Sequence, residues 1–356
     1  MARLVVAGAG AIGASIALHL ALAGADDVVL ADTGEIACAA TGRAMGGVRQ
    51  QFTTEAEVRL ARASVRFFEE LARKKDSAPL FEQVGYLFLA TTATGLKELE
   101  ARRELQRALG VPVEDVDPAS VAGLKTDDVL GASICREDGI ADPVGVTREL
   151  VRRAAKLGVN VREHTDALSL ERDVLVIACG AASPAVGRAV GVELPVRPLV
   201  RQLADLGPVA DVPAELPMVI ESETGFHFRR VGSDRIRVAM GEPSLRWDGP
   251  AEVRDDLVDD WRARLGRRFP AAAGAPLVRS WAGFYDMTPD AHPIIGPVAD
   301  GVYAACGFSG HGFMQAPAVG AAAAAELLGG DVPFDLSPYR LARFDAGATF
   351  PETLVL

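Results

Sequence analysis

Leu4-Val5-Val6-Ala7-Gly8-Ala9-Gly10-Ala11-Ile12-Gly13 opens the chain, followed by an apolar run to Ala23 and then by Val28-Val29-Leu30-Ala31-Asp32. The order is strand, glycine turn, helix, strand, acid. Gly8 permits a tight turn, Gly10 lets a pyrophosphate approach the backbone, and Gly13 lets helix and strand pack closely. Around Ala11 and Ile12 the helix begins, so free N–H groups and the positive end of a dipole face a phosphate. Asp32, with Thr33 beside it, stands where side chains accept hydrogen bonds from a ribose. The stretch therefore reads as a dinucleotide site, without deciding between NAD and FAD. A secretory signal is the competing reading of the same apolar run, and glycines at 8, 10 and 13 with His19 inside the run count against it.

The rest of the composition narrows the class. A chain of 356 residues, 49% hydrophobic, can build two domains around a sizeable core. A net charge of −11 argues against a nucleic-acid partner. No uninterrupted apolar run reaches the length of a membrane span, about 18 residues. Cys38, Cys135, Cys179 and Cys306 form no CxxC pair, as expected for reduced thiols in a cytoplasmic protein, and the histidines form no metal-like pair.

Further along, residues 41–52 are rich in glycine (Gly42, Gly46, Gly47) and carry Arg43 and Arg49, which predicts an irregular loop. Thr54 and Glu57 have the spacing of a capping box, and Val58, Ala61, Val65, Phe68 and Ala72 continue at helical spacing. A strand is expected over 85–90 and a helix over 94–109. Asp142-Pro143 is an N-cap followed by proline at the first helical position, and Gly158 stops that helix. Strands follow at 160–163 and 173–179. The second is a continuous apolar run suited to a parallel strand buried on both faces, and it ends in Cys179-Gly180, a second close backbone approach to a ligand. Short strands of an antiparallel sheet are expected at 218–221, 225–230 and 235–240. A helix is expected at 251–269, a strand at 302–305, a loop at 307–313 and an alanine-rich helix at 314–328. Nucleotide-fold elements thus recur at both ends and in the middle. They define a discontinuous α/β Rossmann-like domain (1–80, 138–205, 282–356) and a second α+β substrate domain on a largely antiparallel sheet (81–137, 206–281).

Taken together, the glycine turn with Asp32, the segment Thr41-Gly42-Arg43 through Arg49-Gln50-Gln51-Phe52, the segment from Trp281 to Gly296 and the stretch from Gly307 to Gly320 resemble the FAD-dependent D-amino acid oxidase (DAO) family. The match is strongest to its sarcosine oxidase, glycine oxidase and proline dehydrogenase β-subunit branch. The resemblance implies FAD in an extended pose, a mixed sheet roofing the flavin, and oxidation of an amino acid or amine to an imine. On this reading Thr41, Gly42, Arg43, Gly46, Gly47 and Val48 serve the cofactor. So do Gly310, His311, Gly312, Phe313 and Met314, whose helix start offers N–H groups to charge developing on a reduced flavin.

The same resemblance assigns the chemistry end. Arg49 lies where the family has an arginine near the flavin, either binding a substrate carboxylate or tying the loop down. Tyr285 matches sarcosine oxidase-like members. Gly283 replaces the cysteine that bonds FAD in monomeric sarcosine oxidases, so FAD is expected to be non-covalent. Met314 replaces their carboxylate-binding lysine, which counts against sarcosine itself as substrate. His311 is expected beside the flavin. His227 and Arg229 alternate on one strand and share a face. All five lysines (Lys74, Lys75, Lys97, Lys125, Lys156) lie in the first half, so the lysine that promotes oxygen reaction in sarcosine oxidases is absent, and Arg237 is expected in its place. The electron acceptor is then oxygen or, preferably, another acceptor. A flavoprotein subunit of a larger complex, a homo-oligomer, or an NAD-dependent dehydrogenase resting on the first motif alone are the alternatives.

Overall fold

The computed structural model describes residues 2–72 and 80–355; Lys74 and Lys75 lie outside the described residues. A six-stranded sheet runs in spatial order Ile294–Ala299, Val302–Cys306, Val174–Ile177, Leu4–Ala7, Val28–Ala31, Asn160–Arg162. Every ladder in it is parallel except that between the first two strands. Val5, Val6, Leu175, Val176 and Ile177 are all buried, which is why these strands are continuous apolar runs.

On one face the helix Ala11–Leu22 packs against Pro143–Lys156 and Gly312–Leu327. Contact with the last helix depends on Gly320: a Cβ there would stand 2.2 Å from Ser15 Oγ and 2.7 Å from the Ser15 backbone. Side chains cap two helices, Asp142 as expected and Thr92 in addition. Thr92 accepts from Gly95 N at 3.0 Å ahead of Ala93–Ala108, and Asp142 accepts from Val144 N at 3.1 Å ahead of Pro143–Lys156. The third is only half a capping box. Thr54 Oγ1 accepts from Glu57 N at 3.4 Å, but the Glu57 carboxylate turns inward to His292 Nδ1, 2.8 Å away, and to Gln315 Nε2. A fully buried carboxylate needs such partners more than an exposed helix end needs a second cap.

The second layer is an eight-stranded sheet in the order Leu277–Met287, Arg197–Leu206, Arg235–Ala239, His227–Val231, Met218–Glu221, Tyr86–Ala90, Gly131–Cys135, Val113–Asp115. It is antiparallel apart from Met218–Glu221, which runs parallel to Tyr86–Ala90. Its longest ladder pairs Arg197 with Met287 and continues to Leu206 opposite Leu277. Residues 197–205, expected with the nucleotide segments, are part of this sheet, and position 282 lies inside the strand Leu277–Met287. A small third sheet joins Gly47–Val48, Gly139–Ala141 and Phe81–Glu82, giving the glycine-rich loop a fixed anchor.

Two further expectations are corrected. The helix expected from 251 spans Asp255–Arg268, because Gln202 holds Arg254 in extended form, accepting from its N at 2.7 Å and donating to its O at 3.0 Å. The short link over residues 166–172 suggests a trimmed hairpin from the sequence, and none forms. Asp166 caps a single 3₁₀ turn, Ala167–Ser169, and Arg172 Nη1 donates to the carbonyls of Leu168 and Leu170.

Replacing Gly320 by alanine should overpack the contact between the first and last helices and destabilise the protein by about 1–3 kcal/mol. Urea unfolding should show a lower midpoint at unchanged slope; an unchanged midpoint would mean that Ser15 moves aside without cost.

Candidate functional site

One cavity of about 560 Å³ runs from the glycine turn to the roof formed by the eight-stranded sheet. At the nucleotide end Gly8, Gly10, Ala11, Ile12, Asp32 and Thr41 line it, together with Cys38 and its neighbours, which the sequence did not single out. Gly8 adopts φ +105°, and a Cβ on it would meet Ala178 O at 2.4 Å. Gly13 lies off the wall and does the packing expected of it, since its Cβ would be 1.8 Å from Gly8 O. Asp32 holds the turn: Oδ2 accepts from Ala9 N at 2.7 Å and Oδ1 from Gly34 N at 2.8 Å. Each oxygen keeps another lone pair for a ribose. Thr41 Oγ1 likewise accepts from Ala11 N at 3.1 Å. Thr33, Gly42 and Val48 are not on the wall. The Cβ side of Gly42 faces Ala37 O at 2.5 Å, and Val48 is buried in the main core.

Midway, Arg43, Gly46, Gly47, Cys179 and Gly180 line the cavity as expected. Gly47 is required by a neighbour invisible in the sequence, because its Cβ would fall on Tyr86 Oη. Cys179 donates to Ala7 O, and burial pushes its thiol up to about 12, so it is not a nucleophile. At the far end Gly310, His311, Gly312, Phe313 and Met314 line the wall where the helix Gly312–Leu327 begins. Asp286 sets this loop by accepting from Gly307 N at 2.7 Å and Phe308 N at 3.2 Å. No side chain caps the helix, so its first N–H groups are left for a ligand. Glycine-narrowed walls at one end, two helix starts (Ala11–Leu22 and Gly312–Leu327) whose N-cap residues make no side-chain cap, and an acid at the ribose position fit an extended dinucleotide.

Arg49, Tyr285, His227 and His311 all line this same cavity, but with unequal freedom. Arg49 is buried and occupied. It donates to Gln51 O, to Leu354 O at 2.8 Å and to His311 Nε2 at 3.3 Å, and its guanidinium lies 4.0 Å from the Phe52 ring centroid. Burial, with Arg49 close by, holds His311 well below the usual imidazole range, so it is neutral. Burial also lowers His227 to about 4. Its Nδ1 is 2.7 Å from Gly225 O, and a carbonyl only accepts, so Nδ1 carries the proton and Nε2 keeps a lone pair. Arg229 shares the His227 face, as expected, but spends Nε on Met45 O at 2.7 Å and shapes the loop.

Arg237 departs from expectation. It is not on the cavity wall. Nε and Nη2 grip Asp205 at 2.7 and 3.1 Å, and its guanidinium lies over Trp281. The cation that does reach the cavity from this sheet is Arg201, 5.5 Å from the Tyr285 ring centroid. Arg201 escaped notice because 197–206 was not recognised as a strand; its alternation places Arg201 and Leu203 on one face.

Asp138 fixes the segment that carries Arg49. It accepts from Gln50 N at 2.9 Å and Gln51 Nε2 at 3.0 Å. Burial raises its carboxyl from 3.8 to about 7, against the hydrogen bonds from Gln51 and Gln50 that lower it. The folded chain then holds a proton that the unfolded chain releases, so this group's contribution to stability is complete below about 3.8 and is lost as pH rises to about 7. Asp138→Asn should remove that slope. Denaturation across this range should show the stability difference between the two proteins shifting in favour of the variant as pH rises; a constant difference would count against the assignment.

Comparison with known proteins agrees with this geometry. Residues 3–326 match the family model DAO, described as FAD dependent oxidoreductase. The chain is 28% identical to the FAD-dependent oxidoreductase domain-containing protein 1 of Bos taurus, covering 99% of this chain and 87% of that protein. It is 26% identical to the 4-methylaminobutanoate oxidase (formaldehyde-forming) of Paenarthrobacter nicotinovorans, over 96% of this chain but only 45% of that protein. Among solved structures, the L-proline dehydrogenase from P. horikoshii superposes with a TM-score of 0.89 at 27% identity, covering 98% of this chain and 99% of that one. Among the described residues no helix is long and apolar enough to cross a membrane, and no cluster of His, Cys, Asp or Glu could hold a metal ion. With the family model spanning most of the chain and the cavity shaped for an extended dinucleotide, the protein belongs to the DAO family of FAD-dependent oxidoreductases.

Proposed function

We propose that this protein dehydrogenates a primary or secondary amino acid, or a related amine, to its imine, holding FAD without a covalent bond and passing the electrons to an acceptor other than oxygen. The observation that carries this reading is the continuity of the cavity. The wall that begins at Gly8 and Asp32 ends among Arg49, Arg201, Tyr285 and His227. Bound FAD supplies a hydride acceptor at N5 and the redox chemistry. The protein's part is to admit the amine as its free base and to aim the Cα–H bond.

The residues present support that division. Among the described residues three acids line the cavity, and each has a task. Asp32 holds the glycine turn, Asp286 holds the loop before the last helix, and Asp248 pairs with Arg197. None is left as a counter-ion for a substrate ammonium, so the site favours the neutral amine that can lose hydride. His227 offers Nε2 as an acceptor to that amine rather than as a strong base, given its low pKa. The uncapped start of Gly312–Leu327 supplies N–H donors where negative charge develops. Gly283, opposite Arg201 in the ladder, provides no thiol for a flavin linkage.

The preference for another acceptor rests on Arg237. Its charge is offset by fully buried Asp205, which also takes Arg279 at 2.8 Å. A neutralised cation set back from the cavity does little to stabilise an incipient superoxide.

Anaerobic titration with amino acids and N-methyl amines should bleach the flavin absorbance. The reduced protein should then reoxidise slowly in air and rapidly with a soluble dye. Fast stoichiometric peroxide formation would overturn the choice of acceptor, and absence of bleaching by every amine and amino acid would overturn the function.

A further inference from the structure

We infer that Arg201 is the carboxylate-binding residue of this protein, that Arg49 is reserved for holding the loop, and that the substrate is an amino acid with a single carboxylate and a neutral side chain. This rests on the amine-dehydrogenating reading of the same site and names its substrate class.

The two arginines differ in what their donors do. Arg49 has a carbonyl on each terminal nitrogen, a neutral imidazole on one of them, and an aromatic ring against its face. A substrate carboxylate would have to displace these bonds and leave two buried carbonyls unpaired, which costs about 1–3 kcal/mol for each. Arg201 has no hydrogen bond or ion pair among the described residues, and its Nε and Nη1 are buried with no partner. Buried donors without partners are costly unless something supplies acceptors. It lines the cavity, so that acceptor can come from a ligand. A carboxylate meets the geometry, since a guanidinium fork takes its two oxygens.

The neighbours frame it. Directly across the ladder from Arg201 stands Gly283, over which the Arg43 side chain packs, its Cβ and Cδ 3.2 Å from where a Gly283 Cβ would lie. Leu199, opposite Tyr285, sets that ring beside the guanidinium at 5.5 Å, where it buttresses the cation from one side. Leu203, two residues along the same face, is apolar and lines the cavity.

The remaining walls select the side chain. Met218 and Tyr86 are ladder partners and line the cavity, as does Met45 from the glycine-rich loop. His227 beside them is neutral. Among the described residues no lysine and no unpaired acid lines the cavity, and Arg43, the other cation on the wall, belongs on the proposed reading to the cofactor segment, so a second substrate charge would be desolvated without a partner of its own. A monocarboxylic amino acid with a neutral side chain places its one anion on Arg201 and its apolar part between the methionines.

The test uses the FAD-loaded full-length protein and two readouts. Benzoate and 2-methylpropanoate, carboxylates that cannot be oxidised as amines, are titrated while the flavin spectrum is followed. Separately, anaerobic bleaching rates are compared for pairs that differ only in the carboxylate, proline against pyrrolidine and N-methylalanine against N-methylethylamine. FAD content and Tm are recorded for every variant. Arg201→Met should weaken binding of both carboxylates about 100-fold, and raise KM for the amino acids while leaving the carboxyl-free amines at their wild-type rates. Arg201→Lys should recover part of the carboxylate affinity, since it restores charge but not the fork, and it serves as the second variant should the methionine protein fold poorly. The inference is overturned if Arg201→Met binds benzoate as the wild type does. It is equally overturned if amino acids and amines slow together at full FAD content, the mark of a structural role. Bleaching of the wild type by amines without any carboxylate binding would defeat this inference alone. No bleaching by either class would defeat the function on which it rests.

Discussion

The close approach of two backbone turns at the ends of neighbouring parallel strands is the constraint on which the rest of the structure depends. Gly8 closes the turn after Leu4–Ala7, and its Cβ position is already taken by the carbonyl of Ala178, which follows Val174–Ile177. Gly13 in turn rides on Gly8 O. No side chain fits at either place, so the first helix is driven down onto the sheet and its N-terminus points at the cavity. The last helix repeats the arrangement on the same face of the sheet. Gly320 lets it lie against Ser15, and its uncapped start delivers a second set of N–H groups to the same cavity. A dinucleotide site with positive potential at both ends follows from backbone packing before any charged side chain is considered.

Of Arg49, Arg201, Arg229 and Arg237, three hold the walls and one does not. Arg49, Arg229 and Arg237 look alike in the sequence, yet each is saturated by carbonyls or by a buried carboxylate. Their work is to fix the glycine-rich loop and the roof sheet relative to one another. Arg201 is left with buried donors and no acceptor among the described residues. In a folded protein that is an unfavourable state, and its position on the wall of the main cavity turns a defect of packing into a feature of recognition.

Polar groups far from the cavity serve the same end. Glu57, His292 and Gln315 form a buried connection between the helix Glu55–Ala72, the loop after Leu277–Met287 and the last helix, with His292 stacked 3.9 Å from Phe350. Glu352 accepts from Thr53 Oγ1 at 2.6 Å, and Leu354 supplies the carbonyl that occupies Arg49. The final residues are thus built into the wall behind the site, and Arg49 is committed to them.

Much of the nucleotide half could be read from residue order alone. The glycine turn, the cap at Asp142, the apolar strand Val174–Ile177 and the last helix all depend on local chemistry: backbone freedom, side-chain caps and periodicity. The roof was less legible. Arg197–Leu206 carries Arg201, Gln202 and Asp205, polar residues that argue against a buried strand until their partners are known. Asp205 is satisfied by Arg237 and Arg279, and Gln202 by Arg254 and Ser280, all far along the chain. The same blindness hid Arg201, and it gave Arg237 a place that its ion pair denies. Sequence by itself determined the family, the cofactor class and the positions of the two helix starts, because each rests on short-range stereochemistry. Only the tertiary structure decided which arginine is free, since that depends on whether distant carbonyls and carboxylates arrive to satisfy each guanidinium, and no local pattern records their arrival.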